Sequence, residues 1–492
     1  MTGFNKIEKL IKQKNSHLVL GLNPTDAEQA VADKAGISLE LHLKQIIDQC
    51  EPYIIAIKPH LAFYERCPQR RQMAMELCAY ARKKGLATIL DVKRVDIADT
   101  MDNWARADVQ NFDPDMVTLD TYMGPADVAL PYLKQNDRVC VYIQAANSNT
   151  AAREFQNLIA GGLRNYQQMA QTARRYDPKR IGYTMGSTWT EAVQGVRMIE
   201  RENSWADGHM LCPGFGRQGK NLEFVRHAGA NAIYPISSGL TNPELLGKKT
   251  PAEMAKHWRD AINAEYTQSV PAQNMTERVV SLLSQTGLLI APTHDDVAAW
   301  PFLKKGRDKL KNAGLPFDGN VDQLRKYMAD GVIDKTDFTN LFLNMRNLMG
   351  HTELRRLMAQ LYVQMIEKSG VNFDRVASVA YGAINTGDLV SYIMDKPALL
   401  LRKERGESPT HGDILGDLKK GENIIMIEDV ATTGSSLIKD VKMLRETFGV
   451  KVTDAFIFIK RTEEAERAYK ENGINMHYIV DMPKLRAMTG VK

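Results

Sequence analysis

The stretch from residue 87 to residue 100, ATILDVKRVDIADT, joins an apolar run to a cluster of charged side chains. Asp91 and Lys93 are two positions apart at the end of this run, so both side chains point to the same side of an extended strand, while Val92 points away. Asp96 follows in the next loop. Parallel barrels build their sites at the carboxyl ends of their strands. The stretch therefore predicts a barrel strand that ends in a charged pocket.

Similar apolar runs recur before residue 240, at intervals of roughly 30 residues, with helix-like polar segments between most of them. Runs that are apolar throughout and alternate with helices are typical of parallel strands covered on both faces. Eight such units predict a closed (β/α)8 TIM barrel. The runs span residues 17–23, 53–59, 87–93, 115–120, 138–145, 180–186, 209–216 and 231–238.

A different pattern begins after a helix-like segment at residues 250–266, which gives way to Ser269 and Pro271. New strand-like runs start only near Arg375 and are separated by segments that can form helices. The boundary is expected within residues 266–274. We therefore predict two domains, 1–268 and 269–492, the second an open α/β sheet with ligands at the carboxyl ends of its strands.

Length and composition agree with a two-domain protein of ordinary globular type. A chain of 492 residues exceeds the size that one core usually supports. The formal charge of +5 is small and no run of Lys or Arg dominates, so no nucleic-acid partner is expected. No segment approaches the roughly 20 apolar residues of a membrane span, and the amino terminus lacks a signal-peptide pattern. We expect a cytoplasmic protein with no membrane partner.

Lys58, at the end of the second apolar run, adds a fourth charge to Asp91, Lys93 and Asp96. A single Lys–Asp pair is most often part of a solvated surface network. Four alternating charges at the ends of two adjacent barrel strands favour a pocket instead. The neighbouring His60 lies beside a turn, and without a ligand set it is expected to be a solvated or hydrogen-bonded histidine.

At this point the first half of the chain resembles orotidine 5′-monophosphate (OMP) decarboxylase. The family pattern D-x-K-x-x-D-I-x-x-T is present in residues 91–100, and Lys58 matches the lysine of the preceding strand. The resemblance covers most of the first 260 residues, and residues 212–219, CPGFGRQG, resemble the family's phosphate loop.

The resemblance implies decarboxylation of OMP without metal or cofactor, through a carbanion at pyrimidine C6. Lys93 is then the proton donor, and Asp91 disfavours the substrate carboxylate in the ground state. Lys58 and Asp96 orient Lys93, with Asp96 entering the site of a neighbouring subunit in a homodimer or higher homo-oligomer. The residues implied in OMP binding are Asn23, Thr100, Ser148, Arg217, Gln218 and Gly219.

Two positions depart from the family pattern. Asn23 stands where an aspartate usually holds a ribose hydroxyl, and it keeps hydrogen-bonding capacity without the charge. Ser238 stands where an arginine usually grips the phosphate. Arg217, inside the phosphate loop, is the candidate substitute.

Residues 424–436, IIMIEDVATTGSS, read as a buried strand that ends in two acids and then opens into a hydroxyl-rich loop at a helix start. An N-capping turn would explain any single Ser or Thr, but not the whole pattern. It resembles the 5-phosphoribosyl 1-diphosphate (PRPP) signature of type I phosphoribosyltransferases. The resemblance assigns Glu428 and Asp429 to the ribose hydroxyls, with Asp429 also meeting PRPP-bound Mg2+. The loop around the 5′-phosphate comprises Ala431, Thr432, Thr433, Gly434, Ser435 and Ser436.

Flanking segments narrow the resemblance to orotate phosphoribosyltransferase, over roughly residues 275–490. Arg461 matches the arginine that pairs with the orotate carboxylate, and Thr432 is a second orotate contact. The loop after residue 401 is longer than in the family. The basic residues implied in PRPP binding are Lys335, Arg402, Lys403, Arg405 and His411.

The product of the second domain would be the substrate of the first. We therefore predict a bifunctional enzyme of the uridine monophosphate synthase type, with the decarboxylase amino-terminal, small-molecule substrates (orotate, PRPP and OMP) and Mg2+ for the transferase only. Two alternatives stay open. One is a sugar-phosphate enzyme of the barrel superfamily, and the other is a PRPP-sensing module whose transferase domain is inactive.

Overall fold

The computed structural model describes residues 1–65, 68–215, 222–290, 298, 301–302, 304–334, 342–378, 382–401 and 414–489. The chain divides into two units, and each is described by itself. The first comprises Met1–Ile159 and Leu163–Asn274, and the second comprises Met275–Lys492 with Ala160–Gly162. The allocation of one activity to residues 1–268 and another to 269–492 stays a prediction.

The first unit contains a closed barrel of parallel strands, which confirms the predicted TIM barrel. Around the barrel the strand order is β1-β10-β9-β8-β5-β4-β3-β2, and β6 and β7 form a separate two-stranded sheet. The strands are β1 (Leu18–Leu22), β2 (Ala56–Pro59), β3 (Ala87–Arg94), β4 (Met116–Leu119), β5 (Cys140–Ala146), β6 (Ile159–Ala160), β7 (Leu163–Arg164), β8 (Ile181–Met185), β9 (Met210–Leu211) and β10 (Ala232–Ile236).

Helices surround the barrel strands and cover their outer faces. Every residue of β1, β4, β5, β8 and β10 is buried, as strands with a filled interior and a helical cover require. The helices are α1 (Gly3–Lys14), α2 (Asp26–Lys34), α3 (Leu39–Cys50), α4 (Pro68–Lys83), α5 (Ala98–Phe112), α6 (Pro125–Gln135), α7 (Ala152–Gln156), α8 (Asn165–Tyr176), α9 (Thr190–Glu202), α10 (Val225–Ala228), α11 (Ser238–Thr241), α12 (Pro243–Leu246) and α13 (Pro251–Tyr266).

The second unit is built on a six-stranded sheet in the order β15-β14-β13-β16-β17-β18. All pairs are parallel except β14 with β15, at one edge. The predicted open α/β sheet is confirmed. A second, two-stranded sheet pairs β11 with β12. The strands are β11 (Leu289–Ile290), β12 (Phe342–Leu343), β13 (Arg375–Ser378), β14 (Ala398–Leu401), β15 (Ile414–Leu415), β16 (Asn423–Ala431), β17 (Lys451–Lys460) and β18 (Asn475–Asp481).

Helices pack on this sheet through apolar side chains; Leu437, Val441 and Leu444 of one helix join the core formed by β16 and β17. Among all the helices described, none has the length and apolar character needed to span a bilayer. The helices of the second unit are α14 (Met275–Gln285), α15 (Lys304–Asn312), α16 (Val321–Ala329), α17 (Thr352–Ser369), α18 (Ile384–Ile393), α19 (Ser435–Phe448), α20 (Glu463–Glu471) and α21 (Met482–Thr489).

Candidate functional sites

A cavity of about 470 Å3 opens at the carboxyl ends of the barrel strands. Its volume suits a small ligand. The charged side chains of residues 58, 91 and 93 thus line a ligand-sized cavity, as predicted, and do not form a surface ion-pair network. The polar lining includes Asn23, Lys58, His60, Asp91, Lys93, Thr118, Gln144, Ser148, Thr184, Ser237 and Ser238.

Asp91 is the centre of the charged cluster and is only 4% exposed. Its Oδ2 accepts a hydrogen bond from the Lys58 ammonium and its Oδ1 accepts one from Lys93. The Thr118 hydroxyl also donates to Oδ1, at 2.8 Å. Burial by itself would raise the pKa of the Asp91 carboxyl, but the two ammonium groups outweigh it and hold that pKa well below its usual range. Asp91 is therefore a buried anion at neutral pH.

Lys93 carries the cation nearest the opening, and 40% of its side-chain surface is exposed. Its Nζ lies 3.1 Å from Nε2 of His60. Burial lowers the pKa of the Lys93 ammonium; Asp91 opposes this effect and Lys58 adds to it. Burial also lowers the pKa of His60 to about 4, so this imidazole is neutral at pH 7 and accepts the hydrogen bond from Lys93. The cluster therefore holds an ammonium group that loses its proton more easily than a solvated lysine.

The Lys93 side chain lines the cavity because of an irregularity in β3 that regular strand alternation did not predict. The pairing of β3 with β4 is Asp91 with Thr118 and then Arg94 with Leu119, so two residues of β3 bulge out of the ladder. The backbone of Lys93 is left-handed, with φ of 48°. The predicted proximity of Asp91 and Lys93 is confirmed, but regular alternation was the wrong reason for it.

Asn23 also lines the cavity, and its Nδ2 donates to the Ser237 hydroxyl at 3.2 Å. Its Oδ1 is buried and has no hydrogen-bond partner among the described residues. The amide therefore retains an acceptor for a ligand hydroxyl. Ser148 and Ser238 lie on the lining as well.

The second candidate site is the loop between β16 and α19. Thr432, Thr433, Ser435 and Ser436 are exposed there, and the last two begin α19. The backbone N–H groups of a helix start and these hydroxyls together suit a phosphate group. Gly434 turns the chain into the helix with φ of 73°, and a Cβ at this position would lie 2.2 Å from the Tyr469 ring. The loop therefore requires glycine for both backbone and space.

The two acids that precede this loop face opposite sides of β16, because they are adjacent on a strand. Asp429 is half-buried, and its Oδ2 would lie 1.9 Å from a Cβ at Gly382. Glu428 is buried and its carboxyl accepts a hydrogen bond from the Tyr469 hydroxyl. Burial, together with the nearby Asp429 and Asp440, raises the pKa of Glu428 to about 8, although Tyr469 opposes the shift. Glu428 is therefore buried against Tyr469 in this structure, and its ribose contact stays a prediction.

Arg461 follows the end of β17, next to the same loop. Its backbone N–H donates to the Ala431 carbonyl at 2.9 Å, and the Thr462 hydroxyl donates to the Thr432 carbonyl. The parallel pairing of β16 with β17 aligns their carboxyl ends, Ala431 opposite Lys460. The residues assigned to orotate, Arg461 and Thr432, are thus brought to one edge of the sheet.

Known proteins similar to this chain match each of its two halves. The family model described as "Orotidine 5'-phosphate decarboxylase / HUMPS family" matches residues 16–231. An orotidine 5′-phosphate decarboxylase of Natronomonas pharaonis is 31% identical, over 48% of this chain and 87% of the relative. An orotate phosphoribosyltransferase of Pyrococcus furiosus is 30% identical, over 31% of this chain and 84% of the relative.

The chain belongs to both families.

One relative spans both halves. It is a protein of Nostoc sp. described as the bifunctional enzyme PyrF/PyrE, 22% identical over 99% of this chain and 96% of the relative. The domain order predicted from the two motifs, decarboxylase family first and orotate phosphoribosyltransferase family second, is confirmed.

Several residues that the decarboxylase and transferase patterns imply fall outside the described residues: Arg217, Gln218, Gly219, Lys335, Arg402, Lys403, Arg405 and His411. Asp96 and Thr100 are described but do not line the decarboxylase-family cavity in a single chain. The Asp96 carboxylate instead accepts a hydrogen bond from the backbone N–H of Ile97 at 2.8 Å. The roles assigned to all the residues of this paragraph stay predictions.

Sequence reasoning missed several lining residues, among them His60, Thr118, Gln144 and Ser237. His60 follows Lys58 by two positions, so the strand-end rule that selected Lys58 was also the signal that could have selected His60. Gln144 lies in an otherwise apolar run, and a polar residue in a buried strand is a usable signal. Thr118 and Ser237 carry no such signal, because isolated hydroxyls are common in strands and in the turns that follow them.

Proposed function

We propose that this chain catalyses two consecutive steps of de novo pyrimidine synthesis. The second unit transfers the phosphoribosyl group of PRPP to orotate, and the first decarboxylates the resulting OMP to uridine 5′-monophosphate (UMP). Membership of both families supports this. The observation that carries it is the buried Asp91 carboxylate between two lysine ammonium groups in a ligand-sized cavity. A cytoplasmic location goes with this function as a prediction.

The charged side chains of this cavity supply the groups that act on C6 in the decarboxylation. Asp91, already an anion, repels the carboxylate on C6 of the pyrimidine. When the C6–carboxylate bond breaks, CO2 leaves and its electron pair stays on C6. The Lys93 ammonium stabilises that charge and then delivers its proton to C6. Catalysis thus comes from a charge arrangement that favours the transition state over the bound substrate.

The transferase step forms a bond from orotate N1 to C1′ of the ribose and breaks the bond from C1′ to diphosphate. The loop at the start of α19 holds the 5′-phosphate with hydroxyls and backbone N–H groups. Arg461 pairs with the orotate carboxylate, which fixes the base over the ribose. Positive charge develops on the ribose as diphosphate leaves, so the Asp429 carboxylate at this edge stabilises it.

The residues present fit a Mg2+ ion. Mg2+ prefers oxygen ligands and keeps several waters, binding proteins through one or two carboxylates and substrate phosphates. Asp429 meets this requirement at the open edge of the sheet, where the lack of a Cβ at Gly382 leaves room for its carboxylate. Glu428 does not, since its carboxyl bonds to Tyr469. When bound, the ion supplies positive charge to the diphosphate leaving group.

A homodimer or higher homo-oligomer follows from the assigned role of Asp96. In one chain the cavity lining lacks Asp96, and the family resemblance supplies it from a partner. Exposed apolar side chains lie near Asp96 in the chain, as expected of a surface covered by another subunit: Val95 is 41%, Ile97 60% and Trp104 38% exposed. Tyr122 and Met123, which line one pocket with Val95, are 69% and 50% exposed.

The experiment that tests the proposed function supplies orotate, PRPP and Mg2+ to the purified chain. CO2 and UMP are the expected products. The Lys93→Ala variant should accumulate OMP without CO2, and Asp429→Asn should release no diphosphate yet still decarboxylate added OMP. Loss of both steps in either variant would contradict the assignment of one step to each site.

The same assay separates the alternatives. A PRPP-sensing module would bind PRPP without releasing diphosphate. A sugar-phosphate enzyme would leave OMP unchanged and would need Mg2+ for its barrel reaction.

A further inference from the structure

Thr118, on β4, makes three hydrogen bonds at the floor of the barrel cavity and is 1% exposed. Its hydroxyl donates to Asp91 Oδ1 at 2.8 Å. The same oxygen accepts the backbone N–H groups of Val92, at 3.1 Å, and Lys93, at 3.3 Å. One hydroxyl therefore contacts both the buried carboxylate and the backbone that carries the proton donor.

These contacts occur where the backbone is least regular. The bulge between Asp91 and Arg94 removes Val92 and Lys93 from the ladder with β4, so their N–H groups need another acceptor. The left-handed conformation of Lys93, with φ of 48°, is unfavourable in a residue with a Cβ. Such a conformation persists only when its surroundings hold it in place. The Thr118 oxygen is the acceptor that does so.

We propose that Thr118 is a positioning residue for decarboxylation, whose hydroxyl holds both the Asp91 carboxylate and the bulged backbone of Lys93 in the reactive arrangement. This rests on the proposed decarboxylase function of the barrel. Thr118 acts through the two charged residues and takes no part in bond making.

The test compares the purified full-length chain with Thr118→Val and Thr118→Ser, with OMP as substrate. Valine keeps the shape of threonine but offers neither donor nor acceptor, while serine keeps the hydroxyl. A displacement of about 1 Å in a reacting group costs about 100-fold in rate. We expect Thr118→Val to lower kcat between about 10-fold and 100-fold with KM within about threefold of wild type. Thr118→Ser should recover most of the loss.

Thr88 provides a matched control at the opposite end of β3. It is fully buried, its hydroxyl accepts the Asp115 backbone N–H at 3.2 Å, and it donates to the Asp115 carboxylate at 3.4 Å. Thr88→Val removes the same types of contact away from the cavity. It should lower the thermal midpoint to a similar extent but leave kcat unchanged.

Three results would overturn the inference while CO2 release by wild type stands: an unchanged kcat in Thr118→Val, no rescue by serine, or an equal kcat loss in Thr88→Val. Absence of CO2 release in wild type would overturn the proposed function and this inference with it. If Thr118→Val does not fold, Thr118→Ala replaces it with the same expected split between kcat and KM.

Discussion

At the residue scale, the two lysines that share Asp91 have different physical roles. Lys58 is 6% exposed and neutralises a buried carboxylate, whereas 40% of the Lys93 side chain remains exposed. Removing one partner of a buried pair leaves an uncompensated charge and costs about 3–5 kcal/mol. A partly exposed ammonium contributes far less, because water screens it. Lys58 therefore has a structural role beside its proposed catalytic one, whereas the proposed role of Lys93 is mainly catalytic.

The first prediction concerns Lys93→Ala. The rate of decarboxylation should fall by about 100-fold to 10,000-fold, since the general acid and its positive charge are both lost. The thermal midpoint should change little, because Lys58 still neutralises Asp91. The measurement is CO2 release from OMP beside thermal unfolding. Lys84→Ala, which removes a surface partner of Asp48, is the control and should leave kcat unchanged. Near-normal turnover in Lys93→Ala would contradict the assignment of Lys93 as the proton donor.

The second prediction concerns the pH dependence of stability through Glu428. Its pKa is about 8 in the folded protein against an ordinary 4.5, so between these values the folded state holds a proton that the unfolded chain has lost. Stability must then fall as pH rises, by about 1.4 kcal/mol per pH unit at most, and level off above the folded pKa. Glu428→Gln should flatten this slope. Thermal unfolding at pH values from about 5 to about 9 checks it; an identical slope in the variant would show that Glu428 ionises normally.

At the element scale, the segment from β16 to α19 depends on three features together: the end of the strand, the hydroxyls of the loop and the glycine at the helix start. The buried strand ends at Ala431, the loop carries the exposed hydroxyls, and Gly434 takes the left-handed conformation that starts the helix. The hydroxyls were predictable from residue types alone. The need for glycine also comes from Tyr469 of α20, which fills the space that a Cβ would take.

The third prediction is that Gly434→Ala disables the transferase and spares the decarboxylase. The left-handed backbone and the overlap with Tyr469 each cost about 1–3 kcal/mol, so the loop shifts away from its phosphate-binding arrangement. Diphosphate release should fall at least about 10-fold, mainly through a higher KM for PRPP. Gly421→Ala, which also has positive φ but open space around it, is the matched control. Equal losses of diphosphate release in the two variants would show that backbone strain alone, and not the overlap with Tyr469, lowers the activity.

At the scale of the whole molecule, the decarboxylase site is expected to be shared between two chains. Lys93 lines the cavity of its own chain, whereas Asp96 does not. Such a site makes activity depend on association and hence on protein concentration.

The fourth prediction follows from this sharing. Lys93→Ala and Asp96→Asn should each be inactive alone, and a mixture reassembled from separated subunits should regain roughly a quarter of wild-type decarboxylation, because half of the dimers are mixed and each holds one intact site. Asp91→Asn mixed with Lys93→Ala should regain none, since both residues come from the same chain. CO2 release after reassembly is the measurement. No recovery in the first mixture would place Asp96 outside the partner's site.

The sequence by itself determined the two folds, their order and the residue types at both sites. Apolar runs of strand length specify parallel strands, and Lys58, Asp91 and Asp429 were found because strand ends collect in one place in such sheets. The strand inferences need only local spacing, since the period of a strand sets which side chains share a face. The order of the two activities came from the resemblance of each half to a known family.

Only the tertiary structure decided how the charged side chains at the two sites are held in position. The bulge at Lys93, the three contacts of Thr118 and the acceptor role of His60 depend on the register between strands far apart in the chain. Glu428 and Asp429 are adjacent and chemically alike, yet one is buried against Tyr469 and the other lies at the open edge. Burial and cross-strand register arise from packing of the whole unit, so local sequence does not contain them.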